Sequence, residues 1–222
     1  MIIEFNGLPG SGKTTVANSL KKELEELGYQ VYLSFPTPAS RIKRYIMTAL
    51  DGSLWLLHLG RQFARKAVTP KDQNREKYAF ILIKYYRMYK EFLKNQQNDA
   101  VLIVDQGILQ GIASIVHMDE ISEQKHLNRI FRWLCKRVPF VMVDCKNEAT
   151  LAYERMRVRH FENRWDQYDD ETTMKGLHNQ TRTFDVIRDC AHTSFSFGYI
   201  AIDTNATPAV NAEHIISAFL KR

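Results

Sequence analysis

Gly7-Leu8-Pro9-Gly10-Ser11-Gly12-Lys13-Thr14 is the stretch on which the reading of this chain turns. It fits G-x-x-x-x-G-K-[ST], the pattern of a loop that wraps phosphate. Glycines let successive backbone N–H groups turn inward around an anion, and the N-terminus of the following helix adds partial positive charge. Lys13 can bridge the β- and γ-phosphates of a nucleotide, and the Thr14 hydroxyl can ligate Mg²⁺. Gly7, Gly10, Ser11, Gly12, Lys13, Thr14 and Thr15 are therefore the candidate ATP contacts. Average residue frequencies give such a match by chance in roughly one chain per hundred of this length. Context makes chance a poorer account. The apolar run Ile2–Phe5 precedes the loop, and a helical pattern from Lys13 to Leu27 follows it, with Gly28 as its stop.

Working outward, four more apolar runs follow: Gln30–Leu33, Val101–Val104, Phe140–Val143 and Tyr199–Ile202. They are continuous rather than alternating, which predicts strands buried on both faces. Helical periodicity fills the gaps: Leu54–Ala67 and Arg75–Asn95, parted by Thr69-Pro70, then Glu120–Arg137, Glu148–His160, Thr172–Cys190 and Ala209–Leu220. Strands alternating with helices predict α/β units and a mostly parallel sheet. The very polar stretch Phe161–Glu171 reads as a mobile loop between helices.

The chain has 222 residues, 45% of them hydrophobic, so a full core in a single domain over 1–222 is expected. That excludes a disordered chain or a stapled mini-protein. Lys and Arg number 31 against 25 Asp and Glu, a net charge of +6. A basic balance fits a phosphate-bearing partner: nucleotide, nucleic acid or anionic lipid. No nucleic-acid-binding motif accompanies the charge, so a nucleic-acid partner is not expected. Cys135, Cys145 and Cys190 form no CxxC pair and no zinc-ligand spacing, which fits reduced thiols. The N-terminus lacks the basic region of a signal peptide, and no apolar stretch approaches a membrane span. A cytoplasmic location and no membrane partner are the expectation.

Two further constellations carry chemistry. Val101-Leu102-Ile103-Val104-Asp105 ends an apolar strand in a carboxylate, which this topology would set beside the phosphate loop. There Asp105 could hold Mg²⁺ through water or act as a base toward an acceptor hydroxyl. The next residue is Gln106 rather than an acidic residue that would activate water, which favours transfer to an acceptor over hydrolysis. Arginines then cluster at Arg155, Arg157, Arg159 and Arg164, followed by Asp166. Arg155 and Arg159 are four apart and should share one helix face. Guanidinium groups closing over a phosphate chain would neutralise transition-state charge and exclude water.

With these residues in place, most of the chain resembles the thymidylate kinase branch of the nucleoside and nucleotide kinases. The phosphate loop matches. Arg155, Arg157, Arg159, Arg164 and Asp166 meet the spacing of that family's lid. Leu8-Pro9-Gly10-Ser11 holds no arginine, which implies the type with catalytic arginines in the lid. Tyr199–Thr204, then Pro208 and a helix, resembles the strand and loop on which the family's adenine rests, implicating Thr204 and Pro208. Arg87 stands about where the family grips an acceptor phosphate. The resemblance implies a P-loop NTP hydrolase-like, doubly wound five-stranded parallel sheet of order 2-3-1-4-5, with helices on both faces. It further implies ATP and Mg²⁺ as cofactors, an acceptor-site helical region over about 35–95 and a lid over about 155–171. Homodimers are common in the family.

Departures fall on the acceptor side. The family's Arg-Glu-Pro after the second strand is Ser34-Phe35-Pro36 here, and its Asp-Arg after the third is Asp105-Gln106. Both remove charge. Between them, Phe35, Arg41, Trp55, His58, Arg61, Phe63, Tyr85, Tyr86 and Arg87 offer aromatic planes and a few arginines, suited to a flat base and an anionic group. Phe35, Arg41, Arg87 and Gln106 are the candidate acceptor contacts. The expected activity is transfer of the γ-phosphoryl group of ATP to a small acceptor, first a nucleoside monophosphate. The competing readings are a kinase for a nucleoside or other small metabolite, and a nucleotide-binding ATPase or regulatory protein with no acceptor.

Overall fold

The computed structural model describes residues 1–33, 85–94, 100–111, 113, 140–158, 168–194 and 198–220. Its strands are β1 (Ile2–Gly7), β2 (Gln30–Leu33), β3 (Ala100–Val104), β4 (Phe140–Lys146) and β5 (Tyr199–Asp203). Among the described residues, four longer helices accompany them: α1 (Lys13–Glu26), α2 (Ala149–Arg157), α3 (Asp170–Ser194) and α4 (Pro208–Leu220). Residues 85–94 and 108–111 are also helical. The expected helices over 54–67 and 120–137 lie outside the described residues.

The strands form one sheet in the order β2-β3-β1-β4-β5, and every pairing is parallel. The central strand β1 pairs Ile2 with Leu102 on one side and with Phe140 on the other. One face packs Ile3, Phe5, Ile103 and Val143 against Val16, Leu20 and Leu24 of α1 and Ala212 and Ile215 of α4. The other packs Ile2, Leu102, Val104 and Met142 against Tyr89, Leu109, Ala152 of α2, and Leu177 and Phe184 of α3. Side chains alternate across a strand, so both faces of the central strands must be apolar. This is the doubly wound architecture that the resemblance implied.

The structure corrects the expectation of continuous burial at two strands. β2 and β5 are half exposed, with β5 alternating buried and solvent-facing residues. Both are sheet edges, where helices cover less of the strand. Element ends also shift. β4 runs on to Lys146, pairing Gly7 with Cys145. The polar stretch expected as a loop through Glu171 already contains the start of α3, because Asp169 caps that helix by accepting from Thr172 N–H at 2.7 Å. α2 ends at Arg157 with Val158 as its C-cap. Arg159, expected on this helix, lies outside the described residues. Arg155 and Arg157 sit in the last turn of α2, where cations favour the helix dipole.

α1 closes in a Schellman motif. Tyr29 N–H donates to Leu24 O and Gly28 N–H to Glu25 O, both at 3.0 Å, with Gly28 at φ 88°. Asp144 on β4 accepts from Arg188 of α3 and from the Tyr199 hydroxyl at 2.8 Å, tying α3 to the sheet. Cys145 is a buried free thiol, pushed up to about 12 by burial. Among the described residues, no helix is long and apolar enough to cross a membrane.

Candidate functional site

β1 delivers the chain to the carboxyl edge of the sheet, and residues 8–12 turn it into α1. Two glycines are required by close approach. A Cβ on Gly7 would stand 2.6 Å from Cys145 O, and one on Gly10 (φ 83°) would stand 2.6 Å from Ala152 O of α2. Gly12, at the N-cap of α1, is left-handed with φ 80°, but a Cβ there would meet nothing within 4 Å. α1 has no side-chain cap and no acidic residue in its first turn. No side chain of that turn therefore competes with an anion, which the helix dipole favours.

Lys13 Nζ reaches back across the loop, donating to Gly7 O at 2.8 Å, Leu8 O at 2.6 Å and Ser11 Oγ at 3.3 Å. The ammonium is thereby held against the loop's own oxygens. Thr14 points outward, and its hydroxyl donates to Asp105 Oδ2 at 3.0 Å. The sequence placed these two residues ninety-one positions apart at one metal site, and the structure brings them together. A hydroxyl and a carboxylate are hard oxygen donors that fit Mg²⁺. No group of three or more His, Cys, Asp or Glu gathers among the described residues. One carboxylate and one hydroxyl suit an ion that takes its remaining ligands from phosphate and water.

On the base side, Arg155 donates to Thr204 O at 3.1 Å and to Asn205 Oδ1 at 3.4 Å. Thr204 Oγ1 in turn donates to Lys146 O at 3.2 Å. Thr207 caps α4 by accepting from Val210 N–H at 3.3 Å, with Pro208 in the first turn. Arg155 is thus joined to the loop expected to carry adenine. Arg157 pairs with Asp170 at 3.0 Å, closing α2 onto α3, but both side chains are exposed and the pair contributes little. Thr15 is exposed on the first turn of α1. Phe35, Arg41, Arg159, Arg164 and Asp166 lie outside the described residues, as does much of the expected acceptor region and lid.

On the acceptor side, Gln106 is exposed and Arg87 is half-buried on the helix over 85–94. Tyr85 and Tyr89 share a face of that helix, and Arg87, two residues from each, does not. Tyr85 donates to Gln106 O at 3.2 Å. Sequence reasoning missed Glu4. It sits in β1 with no exposure, accepting from Tyr89 OH and from Leu109 N–H, each at 2.6 Å. Burial pushes its carboxyl up to about 7, against the opposing pull of those hydrogen bonds. Its signal was a lone charge inside an apolar run, with Gly107 following Asp105-Gln106.

No curated protein matches this chain. Among solved structures, a deoxyadenosine kinase from M. mycoides with bound dATP superposes with a TM-score of 0.52 at 15% identity, covering 100% of both chains. That likeness shows the fold alone, a P-loop NTPase-like parallel sheet with helices. A family model described as an AAA domain matches residues 2–187, most of the chain, and the chain belongs to that family.

Proposed function

We propose that this chain is an ATP-dependent kinase that moves the γ-phosphoryl group to a nucleoside monophosphate or a nucleoside. The observation that carries this reading is the Thr14–Asp105 hydrogen bond of 3.0 Å at the mouth of a phosphate loop followed by an uncapped helix. The loop N–H groups and Lys13 would bind the β- and γ-phosphates. Lys13 then exchanges carbonyl partners for phosphate oxygens, a charge-assisted and stronger bond. Thr14 and Asp105 would hold Mg²⁺, which when bound neutralises charge on the transferring group. Arg155 orients the 204–205 loop against the base. Arg159 and Arg164 are the candidates for charge supplied to the transition state, where one arginine can be worth about 10³-fold or more.

Gln106 supports transfer over hydrolysis, because a neutral amide cannot act as a general base toward water. It also weakens the case for thymidine monophosphate, since the resembled family has an arginine there. An amide can instead read a base edge or a sugar hydroxyl. Together with the fold likeness to a deoxyadenosine kinase, this favours a nucleoside as the second acceptor class. The test is ADP formation from ATP–Mg²⁺ across nucleosides and nucleoside monophosphates. An acceptor that raises the rate supports the kinase. A rate that no acceptor changes transfers the case to an ATPase or a nucleotide-sensing protein.

A further inference from the structure

Glu4 occupies a position that its neighbours Ile2, Ile3 and Phe5 fill with apolar side chains, and burying a carboxyl there is costly unless its hydrogen bonds are used. Its two oxygens face two different elements. Oε2 accepts from Tyr89 OH on the helix over 85–94, and Oε1 accepts from Leu109 N–H, in the opening turn of the helix that follows Asp105. Ile108 and Gln110 N–H also favour the carboxylate, so it meets the N-terminus of that helix. Ile108 N–H further reaches Tyr89 OH at 3.5 Å. Gly107 admits this arrangement: a Cβ there would run into Glu4 Cδ and stand 2.5 Å from Tyr89 OH. One turn before Tyr89, Tyr85 holds Gln106 O. The segment Asp105–Leu109 is thus gripped at Gln106, Ile108 and Leu109.

We propose that Glu4 is a positioning residue: through Leu109 and Tyr89 it fixes the turn that presents Asp105 to Thr14, and joins the helix over 85–94 to that turn. The proposal rests on the kinase reading above, since it assigns Asp105 to the metal-bound nucleotide. Glu4, fully buried in β1, is not assigned as a ligand of nucleotide or metal. It acts on the direction of the Asp105 carboxylate, two residues before the glycine that packs on it. Outer partners of this kind commonly change metal affinity by about 10–100-fold when removed.

The experiment measures binding of a non-hydrolysable ATP analogue by calorimetry, with excess Mg²⁺ and with chelator, in the full chain. The variants are Glu4→Met, which fills the volume but accepts no hydrogen bond, Glu4→Gln, which keeps an acceptor, Tyr89→Phe, and Asp105→Asn. Glu4→Met should cut the gain in affinity due to Mg²⁺ about tenfold. Its binding without Mg²⁺, set by Lys13 and the loop, should stay within about twofold. Glu4→Gln should restore most of the gain, and Glu4→Met should add nothing to Asp105→Asn in the double variant. If Glu4→Met does not fold, Tyr89→Phe should show the same selective loss, and an unchanged Mg²⁺ gain there overturns the proposal. It is equally overturned by equal losses with and without Mg²⁺, or by effects that add fully to Asp105→Asn. A wild type that binds the analogue with no gain from Mg²⁺ contradicts the kinase reading itself, and the positioning role with it.

Discussion

Lys13 and Glu4 show how differently single residues can be read. Lys13 sits in a motif whose spacing states its task, and the structure finds it bonded to the carbonyls of its own loop. Lys13→Met should keep the fold, since the side chain builds no core, and lower phosphoryl transfer by about 10²-fold or more. Circular dichroism with a transfer assay checks both halves, and near-normal turnover in a folded variant contradicts the assignment. Glu4 has no motif. Its role became visible only when Tyr89, Gly107 and Leu109 were brought around it from distant parts of the chain. Its carboxyl is raised from 4.5 to about 7 by burial, so the folded state holds a proton that the unfolded chain releases. The stability from this proton is fully present below about pH 4.5 and falls as pH rises toward 7, by an amount on the order of 3 kcal/mol. Glu4→Gln cannot titrate. Its stability relative to wild type should therefore improve from pH 5 to pH 8, measured by urea unfolding at several pH values. A pH-independent difference between the two proteins would refute the buried, raised carboxyl.

At the scale of elements, the phosphate loop is shaped by what lies behind it. Gly10 and Gly12 have similar left-handed φ values of 83° and 80°, yet only Gly10 is packed on α2. Gly12→Ala should cost about 1 kcal/mol in backbone strain alone. Gly10→Ala adds a clash with the carbonyl of Ala152 and should cost about 1–3 kcal/mol, with weaker nucleotide binding. Denaturant unfolding of the pair separates strain from contact, and equal costs would show that α2 does not constrain the loop. The sequence pattern located all five strands, because each carries a short, mostly apolar run, and β2 coincides with its expected range. It did not show that β2 and β5 are half exposed, because their edge positions are decided by which strands pair, a long-range property. The end of α2 was misjudged for a local reason: Arg155 and Arg157 continue a helical spacing while marking a C-terminal turn. The start of α3 was legible in Asp169 and Thr172, a cap that polarity alone disguised as loop.

For the whole molecule, sheet order 2-3-1-4-5 sets β1 between β3 and β4, and so places Asp105 beside the loop after β1. That neighbourhood follows from topology, which is why Thr14 and Asp105 could be paired from sequence once the strand order was implied. The acceptor side was less legible, because Phe35, Arg41 and the other candidate contacts belong to no spacing motif. Arg87 divides the two acceptor classes. If the acceptor carries phosphate, Arg87→Ala should raise its KM about tenfold or more with little change in kcat. If the acceptor is a nucleoside, KM should hardly move. A steady-state comparison of the variant across both classes decides.

On the proposed function, phosphate leaves ATP for an acceptor rather than for water. This is tested most directly by following the products of ATP–Mg²⁺ turnover with phosphorus NMR, in the presence and absence of nucleosides and nucleoside monophosphates. A phosphorylated acceptor formed one for one with ADP, little inorganic phosphate, and loss of both products in Asp105→Asn are expected. Inorganic phosphate appearing in step with ADP, at a rate indifferent to every acceptor, would contradict it.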